Sequence, residues 1–341
     1  MEYVNLGNSG LEVSRLCLGT WMFGTEFKKG EEVVGREGAH RLLDAAWSKG
    51  INFFDTANNY GNGRSERYIG AWLAGKERED FVIASKVYNT TRGRQPTGLS
   101  RKIIRAEIAG TLERLGTDYL DIYYIHGWHV TSPLEETLST MNDLVRDGLV
   151  HYIGVSNFSS AQLVKSAWIC EKRGWAPITV IQPRYNAADH VPYTVDPSEQ
   201  ALPDLIEICR NLGVAFCPYA PLAGGFLTGK YERQADGRVT IPGASRAESS
   251  QRYGPFPERW WQVLDAVKEV ASETGASPAQ IAMRWAMMTP GITSVPIFGA
   301  RLLEQIDQNA AVLDVFLTPE QYERIAGAGR YREQSPYIYT E

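Results

Sequence analysis

LDIYYIH, residues 120–126, is a short run rich in β-branched and aromatic residues whose hydrophobicity is continuous rather than alternating. A strand with one wet face alternates with a period of two. A run apolar at almost every position suits a strand covered on both faces, as parallel strands are when helices pack over them. Seven further runs share the pattern: LCLGT from 16, INFFD from 51, FVIASK from 81, HYIGVS from 151, ITVIQ from 178, VAFCPY from 214 and ITSVPIF from 292. Amphipathic segments lie between them, several opened by Ser or Thr with Glu or Gln three residues on, at Ser132, Ser159, Ser277 and Thr318. That spacing is a helix-start signal, because the side chains satisfy amide groups left free at a helix N-terminus. Strand starts recur every 27 to 39 residues up to the seventh, and 78 residues separate the seventh from the eighth. Eight strand–helix units predict an α/β fold, a (β/α)8 TIM barrel formed as a single domain over residues 1–341, with one long insertion.

Three additions to the barrel are expected. YVNLGNSGLEVSRL carries a turn signal at Asn8-Ser9-Gly10 between alternating apolar residues, which predicts an N-terminal β-hairpin over the bottom of the barrel. Long rim loops follow the third strand, at YNTTRGRQPTGLS (88–100), and the seventh, at about 222–256. The second gives way to an extra helix before the last barrel unit, PERWWQVLDAVKEVASETG. Loops of this length on a barrel rim are more often functional than idle.

Bulk composition excludes several classes. Hydrophobic residues at 43% and charged residues at 22% are ordinary for a soluble globular protein. A net charge of −5 provides no general attraction to nucleic acid or anionic lipid. The opening residues lack the basic start and apolar stretch of a secretory signal, and no run reaches the roughly 18 apolar residues of a membrane span. The expected location is the cytoplasm, with no nucleic-acid or membrane partner. Cys17, Cys170, Cys209 and Cys217 form no Cys-x-x-Cys pair and are expected to be reduced and structural.

Active sites of such barrels form at the C-terminal ends of the strands. Strand two ends at Asp55 and leads into a loop with Tyr60, strand three ends at Lys86 and strand four at His126. Each alone could be structural, but together they suit one task. A phenol titrates near about 10, too high to shuttle protons readily at neutral pH, and a nearby ammonium favours the phenolate. Lys86 can act so on Tyr60, Asp55 can hold Lys86 charged, and a neutral His126 can orient a carbonyl oxygen. Tyr60 is then a general acid for a developing alkoxide, and a nicotinamide cofactor is the hydride source this chemistry needs.

GGFLTGKY, residues 224–231, poses a separate question. Gly224, Gly229 and Lys230 fit the spacing of a nucleotide-triphosphate loop, but Tyr231 stands where a Ser or Thr would bind magnesium. The residues alone leave open whether it holds a triphosphate, another phosphate or nothing.

GTWMFG, FFDTANNYGNGRSE, ASKV, GLSRK, RLGTDYLDIYYIH, YIGVSNF, IQPRYN, CPYAPLAGGFLTGKY and PIFGARLLEQIDQNAAVL follow, in order, the pattern of the aldo-keto reductases, which this chain resembles over nearly its whole length. The resemblance implies NADPH-dependent carbonyl reduction, with Asp55, Tyr60, Lys86 and His126 at the catalytic tetrad positions. It implies that Leu222, Gly224, Leu227 and Lys230 cradle the cofactor pyrophosphate rather than a triphosphate. By the same resemblance Tyr219 should stack on the nicotinamide, Ser156, Asn157 and Gln182 should hold its carboxamide, and Gly19, Thr20 and Trp21 should pass close to the ribose and substrate. Gly299, Arg301, Gln305 and Asn309 stand at positions that meet the adenosine end in the family, and a guanidinium at Arg301 suits a 2′-phosphate, which implies NADP over NAD. The chain departs from the common pattern at His129, often an Asp, and at Phe298, which is bulky for its place. Trp21, Tyr88 and Trp128, with Tyr253 and Phe256, predict a ring-lined substrate pocket.

Other patterns are set aside. His126 and His129 lack the remainder of a metal shell, GVSNF has Phe158 where a nucleophile elbow needs glycine, and YGNGRSE has Glu66 where a dinucleotide fingerprint needs its third glycine. Two other functions remain: an NADPH-sensing regulatory subunit, as the potassium-channel subunits of the family are, and an NAD(P)-dependent alcohol dehydrogenase working in the oxidative direction.

Overall fold

All eight runs form strands within their quoted bounds or one residue beyond them, and all eight join one parallel sheet. The computed structural model describes residues 1–91, 97–189, 205–234, 239–240 and 256–329; Tyr253 and the end of the chain from residue 330 lie outside the described residues. The hairpin β1 (Tyr3–Asn5) and β2 (Glu12–Ser14) comes first. Strand β3 (Cys17–Gly19) is followed by a second small hairpin, β4 (Glu26–Lys28) and β5 (Glu31–Glu32), then α1 (Arg36–Ser48) and β6 (Phe53–Asp55). The regular alternation continues through α2 (Arg64–Leu73), β7 (Val82–Val87), α3 (Arg101–Leu115), β8 (Leu120–Ile125), α4 (Leu134–Arg146), β9 (Val150–Ser156), α5 (Ser160–Arg173), β10 (Ile178–Gln182), α6 (Leu205–Leu212) and β11 (Ala215–Phe216). After the short pair β12 (Glu232–Arg233) and β13 (Val239–Thr240) come α7 (Glu258–Thr274), α8 (Pro278–Met287), β14 (Ile297–Gly299), α9 (Leu303–Ala310) and α10 (Pro319–Gly329).

The sheet runs β14-β3-β6-β7-β8-β9-β10-β11, every pair parallel. It closes on itself between its two end strands. Phe216 N donates to Thr293 O at 2.9 Å, Val295 N to Phe216 O at 2.8 Å and Ile297 N to Pro218 O at 2.9 Å. The fold is therefore the expected (β/α)8 barrel. Its seventh and eighth strands are shorter than the apolar runs that announced them, because Pro218 and Pro296 have no amide hydrogen to give a ladder.

Period-two alternation divides each strand between two cores. Cys17, Phe53, Val82, Ala84, Ile122, Tyr124, Val180, Ala215, Cys217, Val295 and Ile297 fill the barrel, and Leu6 and Val13 of the first hairpin join them from below. Phe54, Ile83, Val87, Tyr123, Ile125, Ile153 and Ile181 point outward into the larger layer beneath the helices. At position 154 a Cβ would stand 2.4 Å from the Tyr124 ring, so Gly154, in register with Tyr124, makes room for it. All four cysteines are free and buried.

The helix starts confirm three of four signals. Ser159 and Ser277 form complete capping boxes with Gln162 and Gln280, and Thr318 and Gln321 exchange bonds of 3.2 and 3.0 Å. Ser132 does not cap: α4 begins after Pro133, while Ser132 Oγ accepts from Leu99 N at 3.1 Å and meets His129 Nδ1 at 2.8 Å. It ties the two neighbouring rim loops together instead. The extra helix α7 is present where expected. Helix α10 packs on α7, and Arg324 pairs there with Glu273. No helix among the described residues is long and apolar enough to cross a membrane.

Candidate active site

The alternation that fills the barrel also sets the site. Phe53, Val82, Ala84, Ile122, Tyr124 and Val180 point inward, so two residues further along β6, β7, β8 and β10 the side chains of Asp55, Lys86, His126 and Gln182 turn inward as well, at the C-terminal ends of their strands. Tyr60 comes from the loop after β6. Gly61, Asn62 and Gly63 all have positive φ there, and a Cβ at 61 would lie 2.7 Å from the Gly24 backbone, so the sharp turn that presents Tyr60 requires glycine.

Lys86 is fully buried, and its three ammonium hydrogens are all placed. They go to Asp55 Oδ2 at 2.5 Å, Thr56 O at 2.7 Å and Tyr60 Oη at 3.1 Å. Burial pushes the Lys86 amine down, but Asp55 and Tyr60 beside it outweigh burial and hold it above its ordinary value. Asp55 is 2% exposed. Burial raises its carboxyl, opposed by the Lys86 ammonium and by Gln182, whose Nε2 donates to Asp55 Oδ1 at 2.8 Å. The rings of Tyr60 and His126 meet edge-on with centroids 6.0 Å apart. Burial and the Lys86 charge push His126 down to about 3, so its ring is neutral at physiological pH. Its Nδ1 is buried with no partner among the described residues. An unpaired buried lone pair costs less than an unpaired buried N–H, which assigns the hydrogen to Nε2 and leaves the ring one donor.

A groove of about 950 Å3 opens over these groups. Its walls include Gly19, Trp21, Tyr88, Trp128, Ser156, Asn157, Gln182, Tyr219, Leu222, Gly224, Lys230, Gly299, Arg301 and Gln305, together with Asp55, Tyr60 and His126. Lys86 lies beneath its floor. Thr20, Leu227 and Asn309 are buried and do not line it. Thr20 Oγ1 bonds Asp55 O at 2.9 Å and Ser65 Oγ at 2.7 Å, and Asn309 Nδ2 donates to Gln305 O at 2.7 Å. Phe256 does not line the groove either; it packs on Phe226, Tyr231 and Trp260. Met22, Asn59, Asn89, Val130 and Gly225 are among the lining residues that the sequence did not announce. Of these, Gly225 was legible, since it sits inside the glycine-rich run.

Asn157 adopts a left-handed backbone, φ 58°, which asparagine tolerates better than most residues. Its amide is anchored at both ends: Nδ2 donates to His126 O at 2.9 Å and to Ser156 Oγ at 3.0 Å, and Oδ1 accepts from Tyr219 Oη at 2.9 Å, with its second lone pair left for a ligand. The segment after β11 carries Ala220, Ala223, Gly224 and Gly225 at positive φ. Two alanines so held mark a strained turn on the groove wall. Tyr231 is a packing residue that stacks on Phe226 and donates to Gly224 O at 3.4 Å. A Cβ at 225 would stand 2.8 Å from Lys230 Nζ. Burial pushes the Lys230 amine down, and the neighbouring Arg301 cation adds to this. Two cations so close repel each other, and a polyanion between them would relieve both. A groove running from an acid–amine–phenol cluster to a cation pair fits a phosphate-bearing dinucleotide. No three His, Cys, Asp or Glu side chains among the described residues are grouped to hold a metal ion.

Fold and site together define a barrel oxidoreductase. Residues 15–330 match the sequence profile of the Aldo/keto reductase family, and the chain belongs to that family. It is similar to a probable voltage-gated potassium channel subunit beta of Oryza sativa subsp. japonica, 33% identical over 333 residues and 95% of each chain. To versiconal hemiacetal acetate reductase of Aspergillus parasiticus it is 30% identical over 364 residues, covering 99% of this chain and 97% of the relative. Among solved structures, a thermostable aldo-keto reductase crystallised with the inhibitor epalrestat matches with a TM-score of 0.74 and 30% identity, over 96% of this chain and all of that one, 100%.

Proposed function

We propose that this protein reduces an aldehyde or secondary ketone to the alcohol, using NADPH, with Tyr60 as the general acid. The observation that carries this reading is the Lys86 ammonium bonded at once to Asp55 and Tyr60 under the groove floor. When bound, the reduced nicotinamide supplies the hydride. Ser156, Asn157, Gln182 and Tyr219 would hold that ring, Leu222, Gly224 and Lys230 the pyrophosphate, and Gly299, Arg301 and Gln305 the adenosine end, with Arg301 selecting a 2′-phosphate. His126 donates from Nε2 to the carbonyl oxygen and orients it. Tyr60 gives its proton to that oxygen, and the Lys86 ammonium stabilises the negative charge left on the phenol. Asp55 keeps Lys86 charged and aimed.

The substrate end is walled by Trp21, Met22, Tyr88, Trp128 and Val130. Apart from the catalytic groups, none of the described side chains there is charged. This supports a sizeable, partly apolar and uncharged carbonyl compound. The net charge of −5 supports a protein without nucleic-acid or anionic-membrane partners, and a cytoplasmic setting belongs to the same proposal. Loss of NADPH absorbance across a panel of carbonyl compounds tests the reading. Tyr60→Phe lowers kcat by about 100-fold to 10,000-fold while NADPH binding persists; unchanged turnover in that variant overturns it.

A second reading, a cofactor-sensing regulatory subunit, is supported by the similarity to the potassium channel subunit. Tight NADPH binding with negligible turnover on every carbonyl tested, and a co-purifying channel partner, distinguish it. The oxidative direction uses the same residues in reverse.

A further inference from the structure

We infer that Gln182 is a positioning residue of the proton-donating machinery, bracing the Asp55 carboxylate across the barrel so that it holds Lys86 beneath Tyr60. The inference rests on the proposed reduction for its catalytic meaning, but its geometry stands on the bare protein. In the closed ring of eight strands, β6 and β10 are four places apart and face each other across the lumen. The bond from Gln182 Nε2 to Asp55 Oδ1, 2.8 Å long between residues 127 apart in sequence, therefore spans the barrel. An ionised carboxylate only accepts, so it is the amide nitrogen of Gln182 that must face it. Lys86 occupies Oδ2, and among the described residues Gln182 is the one donor to Oδ1. Gln182 is 3% exposed. A residue serving only to hold a cofactor amide has no need to commit its nitrogen to a carboxylate on the opposite wall.

The consequence is electrostatic. The groups facing Asp55 are Lys86 on β7, Tyr60 on the loop after β6, Tyr124 on β8, Cys17 on β3 and Cys217 just after β11. Burial raises the Tyr124 phenol and both thiols, which stay neutral, and Lys86 stays charged. Asp55, whose carboxyl burial holds above its ordinary value, is therefore the group here whose charge responds to pH on the acid side. Gln182 favours its ionised form, so removing that amide disfavours the carboxylate and moves its titration upward.

The experiment compares the thermal stability of the cofactor-free wild type and Gln182→Met from about pH 4.5 to pH 8, then repeats the substitution in an Asp55→Asn background. The stability lost to Gln182→Met grows as pH rises through the Asp55 titration and reaches a plateau. In the Asp55→Asn background the loss no longer depends on pH. In turnover assays the acid limb of the kcat profile moves up by about one pH unit in Gln182→Met, whatever the change in KM for NADPH. A pH-independent loss in both backgrounds, or an unmoved limb with only NADPH affinity reduced, overturns the inference. Should Gln182→Met not fold, Gln182→Asn, one methylene shorter, makes the same comparison. A wild type that turns over no carbonyl compound sinks the proposed reduction, and the stability comparison then decides the Gln182 inference by itself.

Discussion

Replacing Lys86 by methionine removes a charge from a fully buried site while keeping most of the side-chain volume. Asp55 then keeps Gln182 as its donor, and its other oxygen is left without the ammonium 2.5 Å away. Removing one partner of a buried ion pair costs about 3–5 kcal/mol. Protonating the carboxyl is the escape, and at about 1.36 kcal/mol for each pH unit the penalty corresponds to a carboxyl titrating roughly two to four units above its unfolded value near 3.9. The sign follows from that elevation. A folded-state value above the unfolded one stabilises the protein below about pH 4, and this contribution is lost as pH rises through the folded value. Lys86→Met is thus closest to wild type in acid and furthest from it at neutral pH. Unfolding entropy of about 2.1 cal/mol/K per residue gives roughly 0.7 kcal/mol/K for this length, so Tm at about pH 8 falls by roughly 4–7 °C. Circular dichroism melts at about pH 5 and pH 8 measure it, and Asp55→Asn combined with Lys86→Met recovers most of the loss. A Tm at pH 8 within about 1 °C of wild type, or a deficit indifferent to pH, refutes the ion pair as the organiser of this site.

Two further outcomes concern the groove. Arg301→Ala weakens NADPH binding by about tenfold to 150-fold and leaves NADH nearly untouched, the difference shrinking with added salt, as read by fluorescence titration; equal losses for both cofactors would remove Arg301 from the 2′-phosphate. His126, pushed down to about 3 by burial and Lys86, stays neutral in the fold while its unfolded counterpart binds a proton below about 6.5. Wild-type stability therefore drops more steeply than that of His126→Gln as pH falls from about 6 to 4, and parallel slopes would show the ring to be ordinarily solvated.

The strands and most helix caps were legible because they are local. Continuous apolar runs and the Ser-x-x-Gln spacings at 159 and 277 encode geometry over a few residues, and the strand-end rule then points to Asp55, Lys86 and His126. Ser132 misled because the same spacing also serves a loop-to-loop bond, which depends on where Leu99 and His129 end up. The hairpin at β4 and β5 went unseen because its hydrophobic signal is weak; Arg64, from α2, pairs with its Glu26 and Glu32.

Taken alone, the order of residues determined eight buried strands, their parity and the residue types at their ends, since a period of two needs only neighbours along the chain. Closure of the ring decided the rest. It set β6 opposite β10, so that Gln182 meets Asp55 across 127 residues of chain, and it brought Lys230 beside Arg301 at the far end of the groove. Contacts between opposite walls depend on strand number and register around the whole barrel, quantities that no local stretch of sequence carries.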